Sequence, residues 1–290
     1  MNLAEYATLG FPGCIASTDG VHIGWHNCPA QWRSFFVGKE KVPTIAYNVT
    51  ANHRRFIHHV TAGHPGTRND KTLSWFDEFL MKVKKDNFWT DMEFKLIDID
   101  GVYHVQYGVW ILCDGGYHRW RIMQCPLKEE DLSEEGARAW SKRAESVRKD
   151  IECTFGVLKA RFRCLKLPMF WHGKEGKAKC DNVFFVCCML HNMLLQHDKL
   201  MDWEADIDWG QADGMGNWVP GEASRWDDDT VFGDVPDLDF SNAEAQVRIS
   251  TAPSEVFNDP EWNVLREKLI VHFNHPEARK TMAWNTLNFE

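Results

Sequence analysis

The sequence contains no apolar run approaching the roughly 18 residues that a membrane-spanning helix needs, so no membrane partner is expected. Residues Met1 to Gly10 have neither the basic start nor the long apolar core of a secretory leader. Nine cysteines are present, an odd number scattered without a disulfide framework, and they point to free thiols in a reducing compartment. No internal repeat is visible. The one tempting metal cluster, Cys187, Cys188 and His191 in "CCMLHN", lacks the two- to four-residue gap between paired cysteines typical of structural zinc. Positive charge is scarce in the last third: from Lys199 onward there are 7 Lys and Arg against 19 Asp and Glu. Residues 1–198 hold the remaining 26 against 23, so this part can still present a basic face to nucleic acid.

Apolar residues make up 44% of the chain, enough for a real core. "CIASTDGVHIGW" (Cys14 to Trp25) reads as a strand. "TIAYNVTA" (Thr44 to Ala51) and "RFIHHVTAG" (Arg55 to Gly63) form a hairpin about Asn52 and His53. Apolar residues at helical spacing predict one helix from Asp70 to Lys85 with Asp70 at the N-cap. "FKLIDIDGVYHV" predicts a hairpin turned at Asp100-Gly101. "ILCDGGYHRW" follows, a short strand ending on Asp114. A long helix is expected from about Ser133 to Leu165, its stripe formed by Val147, Ile151, Phe155, Leu158, Phe162 and Leu165. Cys180 to His197 is a second apolar helix, expected to be buried because its apolar residues run nearly all round. There His191 and Asn192 read as a buried polar pair tying the helix to the core. This order gives an α/β fold, a mixed sheet flanked by helices. A division into a domain over 1–198 and an acidic, Trp-rich, largely irregular extension over 199–290 is expected, with a late helix at 261–274.

Asp19 in the first strand, Asp114 at the end of a later strand, and Glu152 on the long helix come from separate elements. Three converging carboxylates repel one another unless a cation intervenes. Hard Mg²⁺ or Mn²⁺ is the usual partner of carboxylate oxygen. Two such ions about 3.5–4 Å apart can clamp a phosphodiester displacement. Glu152 borders the apolar stripe, in line with Arg148, Lys159 and Arg163, a flank suited to a passing phosphate backbone. Arg148 and Glu152 are equally explained as an i,i+4 surface pair. His22 lies on the strand face opposite Asp19 and either borders the site or is a packed histidine. Tyr117 either packs beside Asp114 or reaches a phosphate.

"STDGVHI", "GHPGTRNDKTL", "CDGGYHRWRIMQCPLK", "RKDIECTFGVLKARFRCL" and "CCMLHNML" occur in that order over about residues 13–195. Together they resemble the PIF/Harbinger superfamily of DDE transposases and their nuclease-like relatives. The resemblance implies an RNase H-like catalytic fold and an acidic triad that binds two divalent metals, here Asp19, Asp114 and Glu152. Asp70, Arg148 and Tyr117 would support it, and Lys159, Arg161 and Arg163 would contact DNA phosphates. Asp70 matches a family acid sometimes counted in the triad, but strand topology favours Asp114. The chain departs from the family in Val21 before the histidine and in Asn69 before Asp70, and neither change removes an acid. The family's usual N-terminal helix-turn-helix region is not recognisable, which bears on site-specific DNA recognition more than on catalysis. DNA is the expected partner, a separate DNA-binding partner protein and a homo-oligomer are further candidates, and the nucleus is the expected location. A second reading is a domesticated, non-catalytic DNA- or protein-binding module that keeps the fold. A third, an unrelated zinc protein, rests on the cysteines alone.

Overall fold

A computed structural model describes residues 3–127, 135–197 and 259–283. Most of the acidic segment after residue 198, including Trp203, Trp209, Trp218 and Trp226, therefore lies outside the described residues. Among the described residues eight strands occur: β1 (Cys14–Gly24), β2 (Thr44–Ala51), β3 (Ile57–Val60), β4 (His64–Pro65), β5 (Glu93–Ile97), β6 (Tyr103–Tyr107), β7 (Trp110–Leu112) and β8 (Met123–Gln124). The helices are α1 (Leu3–Thr8), α2 (Arg33–Phe36), α3 (Asp70–Trp75), α4 (Glu78–Lys85), α5 (Asn87–Thr90), α6 (Glu135–Arg161), α7 (Gly173–His197), α8 (Glu261–Asn274) and α9 (Pro276–Lys280).

The main sheet runs β3-β2-β1-β7-β8, with β4 also on β2. The β1–β2 and β2–β3 pairs are antiparallel, whereas β7 runs parallel to β1 and β8 parallel to β7. This is the expected mixed sheet flanked by helices. Strand alternation divides its side chains between two layers. Val21, Ile23, Ile45, Tyr47 and Val49 pack with Ile151, Phe155 and Leu158 of α6 and with Cys180 and Phe184 of α7. Ala16, Ile111, Cys113 and Met123 pack with Leu80 and Val83 of α4 on the other side. A third cluster closes the end of the sheet, where Trp110, Leu112 and Trp140 meet Leu265, Leu269 and Phe273 of α8.

The stripe on α6 faces the core as its spacing predicts, with Val147, Ile151 and Leu158 all buried. The hairpins β2–β3 and β5–β6 and the late helix also form where expected. Asn192 ties α7 to the sheet: its carbonyl accepts from Ile57 N at 2.9 Å and its amide donates to Ile57 O at 2.8 Å. His191 Nε2 lies 2.9 Å from Arg55 O, so both polar residues are spent on holding the helix.

Three expectations about helices need correction. The helix from Asp70 to Lys85 is two helices, because Asp77 leaves helical geometry and caps α4 by accepting from Leu80 N. The N-cap of α3 is Asn69, not Asp70: the Asn69 side chain accepts from Thr72 N at 2.9 Å. Both residue types can cap, and one position of offset decides which carboxyl or amide is left over. Asn69→Ala is therefore expected to cost about 1 kcal/mol in a urea melt, and an equal loss in Asp70→Ala would contradict this placement. Finally, α7 is not buried all round. Val186, Met189, Leu190, Met193 and Leu194 are exposed, since an apolar helix lying along a sheet can bury only the side it turns inward.

Candidate active site

Ser17 of β1 pairs in parallel with Leu112 of β7. Asp19 and Asp114 each lie two residues further on, so the register brings Asp19, in the middle of β1, level with Asp114, just past the end of β7. Asp19 belongs to the face that packs on α6. Its Oδ1 accepts from Gly20 N at 2.8 Å. Asp114 Oδ1 accepts from Gly116 N at 3.0 Å, and Tyr117 N donates back to Asp114 O at 3.2 Å. The Gly-Gly turn thus folds its backbone donors onto the acid, and Asp114 itself is exposed.

Asp70 reaches the same place from the opposite face. Gly20 has no side chain there, and a Cβ on it would stand 3.2 Å from Asp70 Oδ1. A Cβ on Gly116 would stand 2.8 Å from Asp70 Oδ2. The two glycines therefore make room for one carboxylate, one glycine under each oxygen. Gly115 faces open space, so only the second glycine of the turn is required by packing.

Glu152 joins through Arg148. This guanidinium is buried and makes a two-pronged contact with Glu145, Nε to Oε2 at 3.1 Å and Nη2 to Oε1 at 2.8 Å. Its Nη1 lies 2.9 Å from Glu152 Oε1 and 3.7 Å from Asp19 Oδ2. Although both are within ion-pair range, neither approach has hydrogen-bond geometry, and Nη1 is a buried donor without a hydrogen-bond partner. The i,i+4 surface pair and the site reading thus describe the same contact. The hydrogen bond to Glu145, more than any other contact, favours the charged guanidinium. Glu145 was missed in the sequence, yet its i−3 position relative to Arg148 is a recognisable pairing distance.

Electrostatics reports the crowding. Burial pushes the Asp19 carboxyl up from 3.8 to about 6; the Gly20 hydrogen bond and Arg148 oppose the rise, and Asp70 and Asp114 add to it. Burial also raises Asp70, helped by Asp114 and opposed by Lys39. A group of acids that resist ionisation together is the donor chemistry of a hard divalent cation. The spacing is not closed around one: among the described residues no three Asp, Glu, His or Cys side chains stand together as ligands for an ion. Arg148 stands between Asp19 and Glu152 instead. Asp19, Asp114 and Asp70 fit such an ion by oxygen chemistry and by their placement around the end of β7, with Glu152 the more remote carboxylate.

The expected phosphate contacts are differently placed. Lys159 donates to His22 O at 3.2 Å and is half-buried, Arg161 lies 3.5 Å from His191 Nδ1, and Arg163 is exposed. His22 pairs with Thr44 Oγ1 at 2.9 Å on the face away from Asp19. Tyr117 is buried, and its hydroxyl donates to Asn48 Oδ1 at 2.6 Å, so it packs beneath Asp114 and reaches no surface. No helix among the described residues is long and apolar enough to cross a membrane.

The sheet carries one acid inside a strand, a second just past the end of the parallel neighbour and a third on the covering helix, and sequence comparison places the chain in a known group. The chain belongs to the family described as plant transposon protein, whose profile matches residues 2–202. The curated mouse (Mus musculus) protein named "Putative nuclease HARBI1" is 25% identical over 203 residues, covering 66% of this chain and 49% of its own length. The rat (Rattus norvegicus) protein of the same name matches to the same extent. The chain thus spans about half the length of the curated relatives it matches. No solved structure matches it.

Proposed function

We propose that the chain is a divalent-metal-dependent nuclease of the Harbinger transposase type, acting on DNA phosphodiester bonds in the nucleus. The observation that carries this reading is the meeting of Asp19 and Asp114 at one level of adjacent parallel strands, with Arg148 linking Asp19 to Glu152. Family membership supports it. Asp19, Asp114 and Glu152 would hold Mg²⁺ or Mn²⁺, two ions in the full arrangement, with Asp70 beside them. When bound, such ions supply positive charge to a phosphodiester and lower the pKa of water.

The chain's own residues account for the rest. The Asp114–Tyr117 turn fixes one acid by its backbone donors. Arg148 stands within ion-pair range of both Asp19 and Glu152 and reduces their repulsion. Arg163 is exposed to a phosphate backbone, and Lys159 and Arg161 add positive potential from behind it. In the reaction, water oxygen bonds to phosphorus and the bond to the 3′-oxygen breaks. That oxygen takes a proton, leaving a 3′-hydroxyl and a 5′-phosphate; in strand transfer the 3′-hydroxyl would then attack target DNA. A separate DNA-binding protein or a second copy of the chain would supply site recognition.

Nicking of supercoiled plasmid with Mn²⁺ tests this. Wild type is expected to nick and Asp114→Asn to fall to background while keeping the wild-type circular dichroism spectrum. Equal nicking by both removes the assignment. DNA binding without nicking or Mn²⁺ uptake selects the non-catalytic binding module, a reading favoured by Arg148 standing where the acids would otherwise close.

A further inference from the structure

Asn48 sits in the middle of β2, fully buried, directly across from Gly20. Its amide is hydrogen-bonded at both ends. Oδ1 accepts from the Tyr117 hydroxyl at 2.6 Å. Nδ2 donates to Asp77 Oδ2 at 2.6 Å and to Thr18 Oγ1 at 3.1 Å. The amide is oriented so that its NH₂ meets the Asp77 and Thr18 oxygens and its carbonyl meets the Tyr117 hydroxyl. Each arm leads to an acid. Tyr117 closes the turn that begins at Asp114. Asp77 caps α4 through Leu80 N at 3.0 Å, and so fixes the break that ends the segment carrying Asp70. His59 Nε2 stands 3.4 Å from Asp77 Oδ1. Asn48 thus touches neither Asp114 nor Asp70, yet is one bonded side chain away from the element that carries each.

A buried amide is costly unless fully bonded, and an apolar residue would fill a mid-strand position more cheaply. Its use here has a geometric consequence: the two elements that flank Asp19 are referred to one rigid point in the sheet. We propose that Asn48, with Asp77, is a positioning residue that sets the spacing of Asp114 and Asp70 about Asp19, and so the affinity of this acid group for divalent cation. The inference rests on reading those acids as a metal-binding group.

Mn²⁺ affinity of the full chain, measured by electron paramagnetic resonance of free ion, tests it. Tyr117→Phe removes one hydroxyl and leaves the ring packed, and should weaken Mn²⁺ binding about 10-fold. Asn48→Ala removes both arms and should weaken it by about 10- to 100-fold, with the double variant no weaker than Asn48→Ala alone. Thr50→Val is the control: it deletes the Thr50 bond to Thr18 Oγ1, itself a partner of Asn48, but leaves the Tyr117 and Asp77 arms of Asn48 bonded, and should leave affinity unchanged. Affinity untouched in Tyr117→Phe and Asn48→Ala, or lowered alike in all three variants, overturns the inference. If wild type takes up no Mn²⁺, the nuclease reading fails by itself and positioning is judged by amide exchange. Gly116 N–H must then exchange faster in Tyr117→Phe and Asn48→Ala than in Thr50→Val, and equal rates overturn it.

Discussion

Ending the chain after residue 198 is expected to unfold it. Helix α8 places Trp262, Leu265, Leu269 and Phe273 in the core, all of them buried. Full burial of such side chains contributes roughly 1.5–3 kcal/mol each, so the four together rival the roughly 5–15 kcal/mol by which a domain is stable. Their removal also uncovers Leu96, Trp110 and Trp140 on the other side of the contact. Polar anchors go with them: Trp262 Nε1 donates to Met123 O at 2.7 Å, and His272 Nδ1 accepts from Ile97 N at 3.1 Å. The truncated chain should therefore lack a cooperative melt and bind a hydrophobic dye. In the full chain, Phe273→Ala alone should cost about 3–5 kcal/mol. A truncated chain that melts cooperatively within a few degrees of full length would show that residues 1–198 fold as a unit without α8.

That helix could be read from sequence because its apolar spacing is local, but its destination could not, because contact with β5 and α6 depends on chain far away. The same divide runs through the site. Asp19, Asp114 and Glu152 were legible as acids within a strand, at a strand's end and flanking a stripe, and the parallel register of β1 and β7 then brings the first two level. Asn48 was not: within "TIAYNVTA" it is one polar residue in an apolar strand, and its role appears only when Tyr117 and Asp77 arrive from distant segments. Strand β8 is two residues long and carries no period at all; pairing with β7 alone makes it a strand. Asp70 illustrates a finer failure. Asn69 and Asp70 are both cap formers, and only the bond from Thr72 N shows that Asn69 caps the helix. This leaves the Asp70 carboxylate free to settle over Gly20 and Gly116.

Asp19→Asn is expected to stabilise the metal-free protein while removing the proposed nuclease activity. Burial, the largest cause, lifts the folded-state pKa of Asp19 from 3.8 to about 6. The folded state therefore holds this proton more tightly than the unfolded state does. Stability linked to the group is complete below about pH 4, declines as pH rises toward 6, and is fully lost above it. Two pKa units correspond to about 3 kcal/mol, an upper bound on what Asn recovers at pH 7.5. The ion pair with Arg148 at 3.7 Å opposes the shift but is outweighed by burial. In chelator, the variant should thus melt higher than wild type at pH 7.5, and the two should converge at pH 4. Adding Mn²⁺ should reverse the order, since an ion that binds only the folded state stabilises in proportion to its affinity and the variant would lack one of the proposed ligands. Plasmid nicking should fall by more than the roughly 10–100-fold that loss of an outer-shell partner costs. A variant less stable than wild type at pH 7.5 without metal would show that Asp19 is held for packing rather than at the expense of stability. Variant and wild type raised equally by Mn²⁺ would take Asp19 out of the ligand set.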